Sequence, residues 1–209
     1  MCFSTSKGKF ASVLVLLFCN FVAGAEVSEE NHLNYVADQD IYKAFEMGSE
    51  FWLWAVNFPR GPTSNRRCTL FRKHALFETG MNYSSHYLIN DTWHEMKYTG
   101  QFYKTELKKG TESATREKYN AMLASETTET WHPRKYILLF SDYTDCLLLH
   151  VPGIYSGFAC MVLVIDPPPS QSQMPEKCKN MFEMFCRYGT QEQIYESSCT
   201  KPQINFFRK

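Results

Sequence analysis

Long apolar runs, zinc-type cysteine spacing, blocks of basic charge and the short motifs of catalysis are all missing from this 209-residue chain. After the first 25 residues no run approaches the ~18 apolar residues of a membrane-spanning helix, so no membrane span is expected. No C-x-x-C pair occurs, which argues against a structural zinc site. Lys and Arg number 22 against 22 Asp and Glu, and no basic block stands out, so nucleic acid is not an expected partner. His94-Glu95 begins a metalloprotease signature, but Tyr98 stands where the second histidine belongs. Neither a G-x-S-x-G elbow nor a glycine-rich phosphate loop is present. The expectation is a protein that is no enzyme and needs no cofactor or metal.

What is present begins with a leader. Lys7 and Lys9 form a basic start, Phe10–Phe18 is largely apolar, and Ala23-Gly24-Ala25 is a small-residue cleavage site. This is the pattern of a secretory signal peptide over residues 1–25, cleaved before Glu26. Removing 25 of the 209 residues leaves 184, enough for one domain over 26–209 with a sizeable core. The leader takes Cys2 and Cys19 with it. Cys68, Cys146, Cys160, Cys178, Cys186 and Cys199 remain, and an even number in a secreted chain points to three disulfides. Six cysteines allow 15 pairings, and the sequence alone does not choose among them. Asn82-Tyr83-Ser84 and Asn90-Asp91-Thr92 are acceptor sites for N-glycans, so this stretch is expected at the surface. The 12 Tyr and 16 Phe exceed the usual needs of one small core, which suggests an aromatic-lined cavity or a surface patch for another protein.

The stretch Arg134–Ile165 holds three strand-length apolar runs, Tyr136–Phe140, Cys146–Val151 and Phe158–Ile165, separated by the turn-like SDYTD and PGIYSG. Both faces of each run are apolar, so each strand should be covered on two sides. Consecutive covered strands with short connections suit a closed antiparallel barrel with an outside helix. Upstream, Asp38 is placed to cap a short helix through Phe45. Glu50–Phe58 reads as a strand with Trp52, Trp54, Val56 and Phe58 on one face, and Phe51, Leu53 and Ala55 on the other. Cys68–His74 and Leu76–Thr79 are strand-like, Tyr83–Ile89 and Thr92–Tyr103 flank a hairpin turn at Asn90-Asp91, and Lys104–Thr115 reads as a connection. A last helix opens at Pro175 and runs to about Tyr188, where Gly189 ends it.

These residues resemble the tick salivary lipocalins of the histamine-binding type. The matching pieces are the Ser-Asp-Tyr turn before Asp145-Cys146, Val151-Pro152-Gly153, Ala159-Cys160, the Pro-x-x-Cys at 175–178, the Phe-x-x-x-Cys at 182–186, and Tyr195 before Cys199. The resemblance implies an all-β fold: an eight-stranded antiparallel lipocalin barrel with a short N-terminal helix and a disulfide-stapled helix outside. It implies bonds Cys68–Cys199 and Cys146–Cys178, which leaves Cys160 with Cys186. If both strand cysteines face outward, Leu147, Leu149, Met161 and Leu163 point inward.

In amine-binding members of that family, an Asp, a Glu and a Trp on these two strands meet the cationic ligand. Leu147, Met161 and Leu163 stand at those positions here. A buried ammonium without a carboxylate loses several kcal/mol of desolvation that nothing offsets, and a missing aromatic face removes ~0.5–2 kcal/mol more. The expected ligand is therefore apolar: a fatty-acid derivative, an eicosanoid such as a leukotriene, or a sterol. The expected ligand-binding residues are Trp52, Trp54, Tyr98, Phe102, Leu147, Leu149, Met161 and Leu163. Other carboxylates, at Asp38, Asp40, Glu50, Glu78 and Glu95, keep a biogenic-amine scavenger for histamine or serotonin as the alternative. A third reading is a modulator that binds a host immune or complement protein through its surface. In each case the protein is expected to be monomeric, secreted in saliva, and to act by stoichiometric sequestration.

Overall fold

A computed structural model describes residues 33–109, 112–167 and 173–202. The leader at 1–25 lies outside the described residues. In chain order the chain forms α1 (Ile41–Glu46), β1 (Glu50–Val56), β2 (Arg67–Phe77), β3 (Gly80–Ile89) and β4 (Thr92–Tyr103). A small hairpin follows, β5 (Leu107–Lys109) and β6 (Glu112–Ala114). Next come β7 (Ala121–Glu126), β8 (Arg134–Ser141), β9 (Cys146–His150) and β10 (Cys160–Ile165), then α2 (Glu176–Phe185) and the short β11 (Glu192–Gln193). The main sheet runs β10-β9-β8-β7-β4-β3-β2-β1, and β10 pairs again with β1. That pairing closes an eight-stranded antiparallel barrel and leaves no long open edge.

Local chemistry sets the corners. Asn90 and Asp91 both hold positive φ, 48° and 58°, and so make the two-residue turn that matches strand twist between β3 and β4. Asp40, not Asp38, caps α1 by accepting a hydrogen bond from the Lys43 backbone N–H. The two strand-like stretches expected at 68–74 and 76–79 join as one strand, β2, which pairs with β3 through irregularities at Arg67/Leu70 and Lys73/Ala75 and ends at Phe77. The stretch expected as a bare connection carries the β5–β6 hairpin. The last helix stops at Phe185, and Gly189 (φ +89°) turns the chain back beside Asn57.

Two apolar clusters occupy opposite faces of one wall. Inside the barrel, Phe51, Leu53, Leu147, Leu149, Met161 and Leu163 pack with α1. Outside, Trp52, Trp54, Leu148, Val162 and Val164 pack with Phe182 and Phe185 of α2 and with Tyr195. Three disulfides tie this outer layer down: Cys68–Cys199, Cys146–Cys178 and Cys160–Cys186. They close loops of 131, 32 and 26 residues. Their pairing is the one the resemblance implied.

The two tryptophans correct the sequence reading. Trp52 and Trp54 do not face the cavity; they are 3% and 1% exposed in the outer cluster, where Trp54 stacks on Tyr195 at 5.0 Å. Pairing with β10 shifts register between Leu53 and Ala55, a bulge that leaves Trp54 unmatched. Ala55 consequently turns outward and Val56 inward, the reverse of strict alternation. Both faces of this strand are apolar because the tail and α2 cover the outside, so alternation alone could not say which face is the interior.

Candidate functional site

The barrel interior holds two connected chambers. The deep one, a cavity of about 30 Å³, lies against α1 and is lined by Phe45, Phe51, Met81, Met122, Leu149 and Leu163, with Lys73 as the sole charged side chain among its described lining. The upper one, about 140 Å³, lies toward the loops at 57–66 and 151–159, lined by Leu53, Val56, Thr69, Ser85, Tyr98, Val151 and Ile154. Arg60, Arg66 and Arg134 stand at its rim. Phe71, Tyr83, Tyr136 and Met161 line both chambers and form the layer between them. The walls are mostly apolar with a few polar groups, the lining typical of a small-molecule site.

Strand alternation explains how these residues meet. Met81, Tyr83 and Ser85 are alternate residues of β3, and Tyr83 sits directly opposite Tyr98 on β4, their rings stacked at 5.1 Å. Phe71 of β2 meets Tyr83 edge-on at 6.2 Å. Met161 lies opposite Leu149 on one side and Val56 on the other. The floor is an aromatic plug: Phe45 of α1 stacks on Phe102 and meets Phe51 edge-on.

Burial tunes the polar groups. It pushes the Tyr98 phenol up to about 12, with the neighbouring Tyr136 and Glu126 adding to the effect. Burial also raises Tyr83 and Tyr136, and for Tyr136 the Arg134 guanidinium opposes it through charge and a hydrogen bond. All three phenols therefore stay neutral hydrogen-bonding groups at physiological pH. Arg60 is committed to its own loop. It donates to Glu192 at 2.6 Å and to the carbonyls of Thr63, Ser64 and Arg66. Arg66 lies over the Tyr87 ring at 4.0 Å, so Arg66 and Arg134 are the guanidinium groups placed to meet a ligand at the rim.

No Asp or Glu is among the described residues lining either chamber. Glu50 faces outward, paired with Arg72 and Lys201 at 2.7 Å each, and these two cations hold its carboxyl below the usual range against the opposing effect of burial. Glu95 lies on the outer face 3.8 Å from His86. Asp40 and Glu78 line an open depression beside Tyr119, away from both chambers. Among the described residues no group of three His, Cys, Asp or Glu could hold a metal ion.

Of the residues expected to meet a ligand, Leu149, Met161 and Leu163 line the deep chamber and Tyr98 the upper one. Leu147 and Phe102 belong to the inner cluster but back the walls rather than line a chamber. Trp52 and Trp54 are on the other side of the wall. Asn82 and Asn90 are exposed, on β3 and at the β3–β4 turn. Sequence reasoning missed Lys73, Tyr83, Tyr136, Arg66 and Arg134. Lys73 interrupts a strand-like run, and that was the available signal. It also missed Asn57, a buried hub whose Oδ1 accepts from the Cys160 N–H at 2.7 Å. The Asn57 Nδ2 donates to the carbonyls of Phe158, Cys186 and Tyr188.

The structure of the AM182 serotonin complex aligns with TM-score 0.56 at 13% identity, covering 77% of this chain and 92% of that one. Apocrustacyanin C2 aligns with TM-score 0.50 at 13% identity, covering 83% of this chain and 88% of that one. Japanin from Rhipicephalus appendiculatus, bound to cholesterol, aligns with TM-score 0.44 at 15% identity, covering 71% and 93%. No curated protein matches the chain. The first two of these likenesses show the lipocalin fold. The family model described as tick histamine binding protein matches residues 29–201, most of the chain and every barrel strand. With its closed barrel, outer helix and three disulfides in place, this chain belongs to the tick histamine-binding protein family of lipocalins.

Proposed function

We propose that this protein is secreted into tick saliva and sequesters a single apolar mediator of the host, suppressing inflammatory or immune defence by stoichiometric capture. The tail of the ligand fills the deep chamber and its polar head lies among Tyr83, Tyr98, Tyr136, Arg66 and Arg134. The observation that carries this reading is the lining itself: apolar walls, neutral phenols and cations, with no carboxylate among the described residues. An amine would lose its hydration there and gain no counter-charge. A fatty-acid derivative or an eicosanoid such as a leukotriene meets apolar wall below and guanidinium above, and a sterol meets the apolar wall alone. Burying ~300 Å² of apolar tail contributes about 7.5 kcal/mol gross, enough to exceed a rigid-body association cost of several kcal/mol.

The amine scavenger ranks second, since the stacked tyrosines supply aromatic faces but no paired carboxylate. Native mass spectrometry of secreted, glycosidase-treated protein tests the proposal, followed by organic extraction of anything bound. Co-purification of a fatty acid, oxygenated lipid or sterol supports it. An empty protein that takes up histamine or serotonin at submicromolar concentration, and ignores lipids, sinks it.

A further inference from the structure

The deep chamber is apolar, with one exception placed at its floor. Lys73 sits on β2 directly opposite Tyr83, and both side chains line this chamber. Its backbone is fixed by a hydrogen bond from its N–H to the Ser49 carbonyl at 2.7 Å. Its Nζ donates to the carbonyl of Phe45, in the last turn of α1, where helix carbonyls lack partners of their own. An ammonium carries three donors, and Phe45 is its one hydrogen-bond acceptor among the described residues. Burial lowers its pKa, and the nearby Glu46 only partly opposes that. A tail ending in a methyl group would cover this cation without offering it an acceptor.

Resting on the reading of the cavity as a lipid site, we infer that it selects chains oxygenated at both ends. The head group lies between Arg66 and Arg134 at the rim, and the Lys73 Nζ donates a hydrogen bond to a second oxygen, of a hydroxyl or carboxylate at the far end of the chain. Arg66 and Lys73 are seven residues apart in sequence, so along an extended strand their backbones are at most about 23 Å apart at ~3.3 Å per residue.

The test uses secreted, full-length protein and displacement of cis-parinaric acid by three competitors: hexadecanoic acid, omega-hydroxyhexadecanoic acid and hexadecanedioic acid. A hydrogen bond to a charged donor is worth roughly tenfold or more in affinity. The expected result is therefore an omega-oxygenated competitor binding about tenfold tighter than hexadecanoic acid. Lys73→Met should bring the three competitors within about twofold of one another, and Lys73→Arg should retain the preference; thermal melting of both variants checks folding. Wild-type protein that binds hexadecanoic acid as tightly as its oxygenated analogues overturns the inference and leaves the lipid reading standing. So does a preference that survives in Lys73→Met. Failure of all three to bind overturns the lipid reading itself, and the inference with it.

Discussion

Trp54 and Phe51 lie three residues apart on one strand and on opposite sides of the barrel wall, so truncating each should give different outcomes. Trp54 is 1% exposed, stacked on Tyr195, and packed in the outer cluster with the helix and tail. Trp54→Ala removes a fully buried indole, at about 3–5 kcal/mol, including an aromatic pair of ~0.5–1.5 kcal/mol. For a domain of this size 1 kcal/mol moves Tm by roughly 2–4 °C, so the melting point should fall by about 10 °C. Affinity for an apolar probe such as cis-parinaric acid should change less than twofold below the transition. Phe51 is equally buried but lines the deep chamber. Phe51→Ala should cost similar stability and also weaken the probe about tenfold, because losing ~50 Å² of apolar contact at about 25 cal/mol per Å² is about 1.3 kcal/mol. Differential scanning calorimetry and fluorescence titration on the two variants give all four numbers. Loss of probe binding in Trp54→Ala, with folding intact, would refute the assignment of the tryptophans to the outer face.

Three further outcomes follow from the outer layer. Replacing Cys160 and Cys186 by serine opens a loop of 26 residues, and the chain-entropy relation gives a loss of about 3.5 kcal/mol, measurable by urea unfolding. Asn57→Ala strands buried backbone groups of Cys160, Phe158, Cys186 and Tyr188, so a loss of about 3 kcal/mol is expected, visible as a drop in the denaturation midpoint. On β3, His86 shares the Ser84 hydroxyl with His74, each at 2.8 Å, and burial first, then Arg72, holds its pKa below the usual histidine value. The unfolded chain therefore binds more protons than the folded one below about pH 6.5. Melting temperature should fall as pH drops through that value and level off below the folded pKa, and His86→Gln should flatten this part of the profile.

Much of the fold was legible because its signals are local. Turn residues at Asn90-Asp91, strand-length apolar runs and a proline before α2 each act within a few residues. The inward set Leu149, Met161 and Leu163 followed from alternation once Cys146 and Cys160 were placed outside, and the structure puts all three in the deep chamber. The disulfide pairing came through family resemblance, since sequence spacing alone cannot choose among pairings.

The sequence by itself determined the strands, the outside helix and the lack of inward carboxylate on β9 and β10. Only the tertiary structure decided which face of β1 is the interior. That choice depends on the tail covering Trp52 and Trp54, and on a bulge whose position is set by register with β10, where Leu53 pairs with Leu163, 110 residues along the chain. The same holds for Lys73, Arg66, Arg134 and the three tyrosines, which come from β2, β3, β4, β8 and the loop before β2. Their chemistry depends on distance in space, and barrel closure, not chain order, sets that distance.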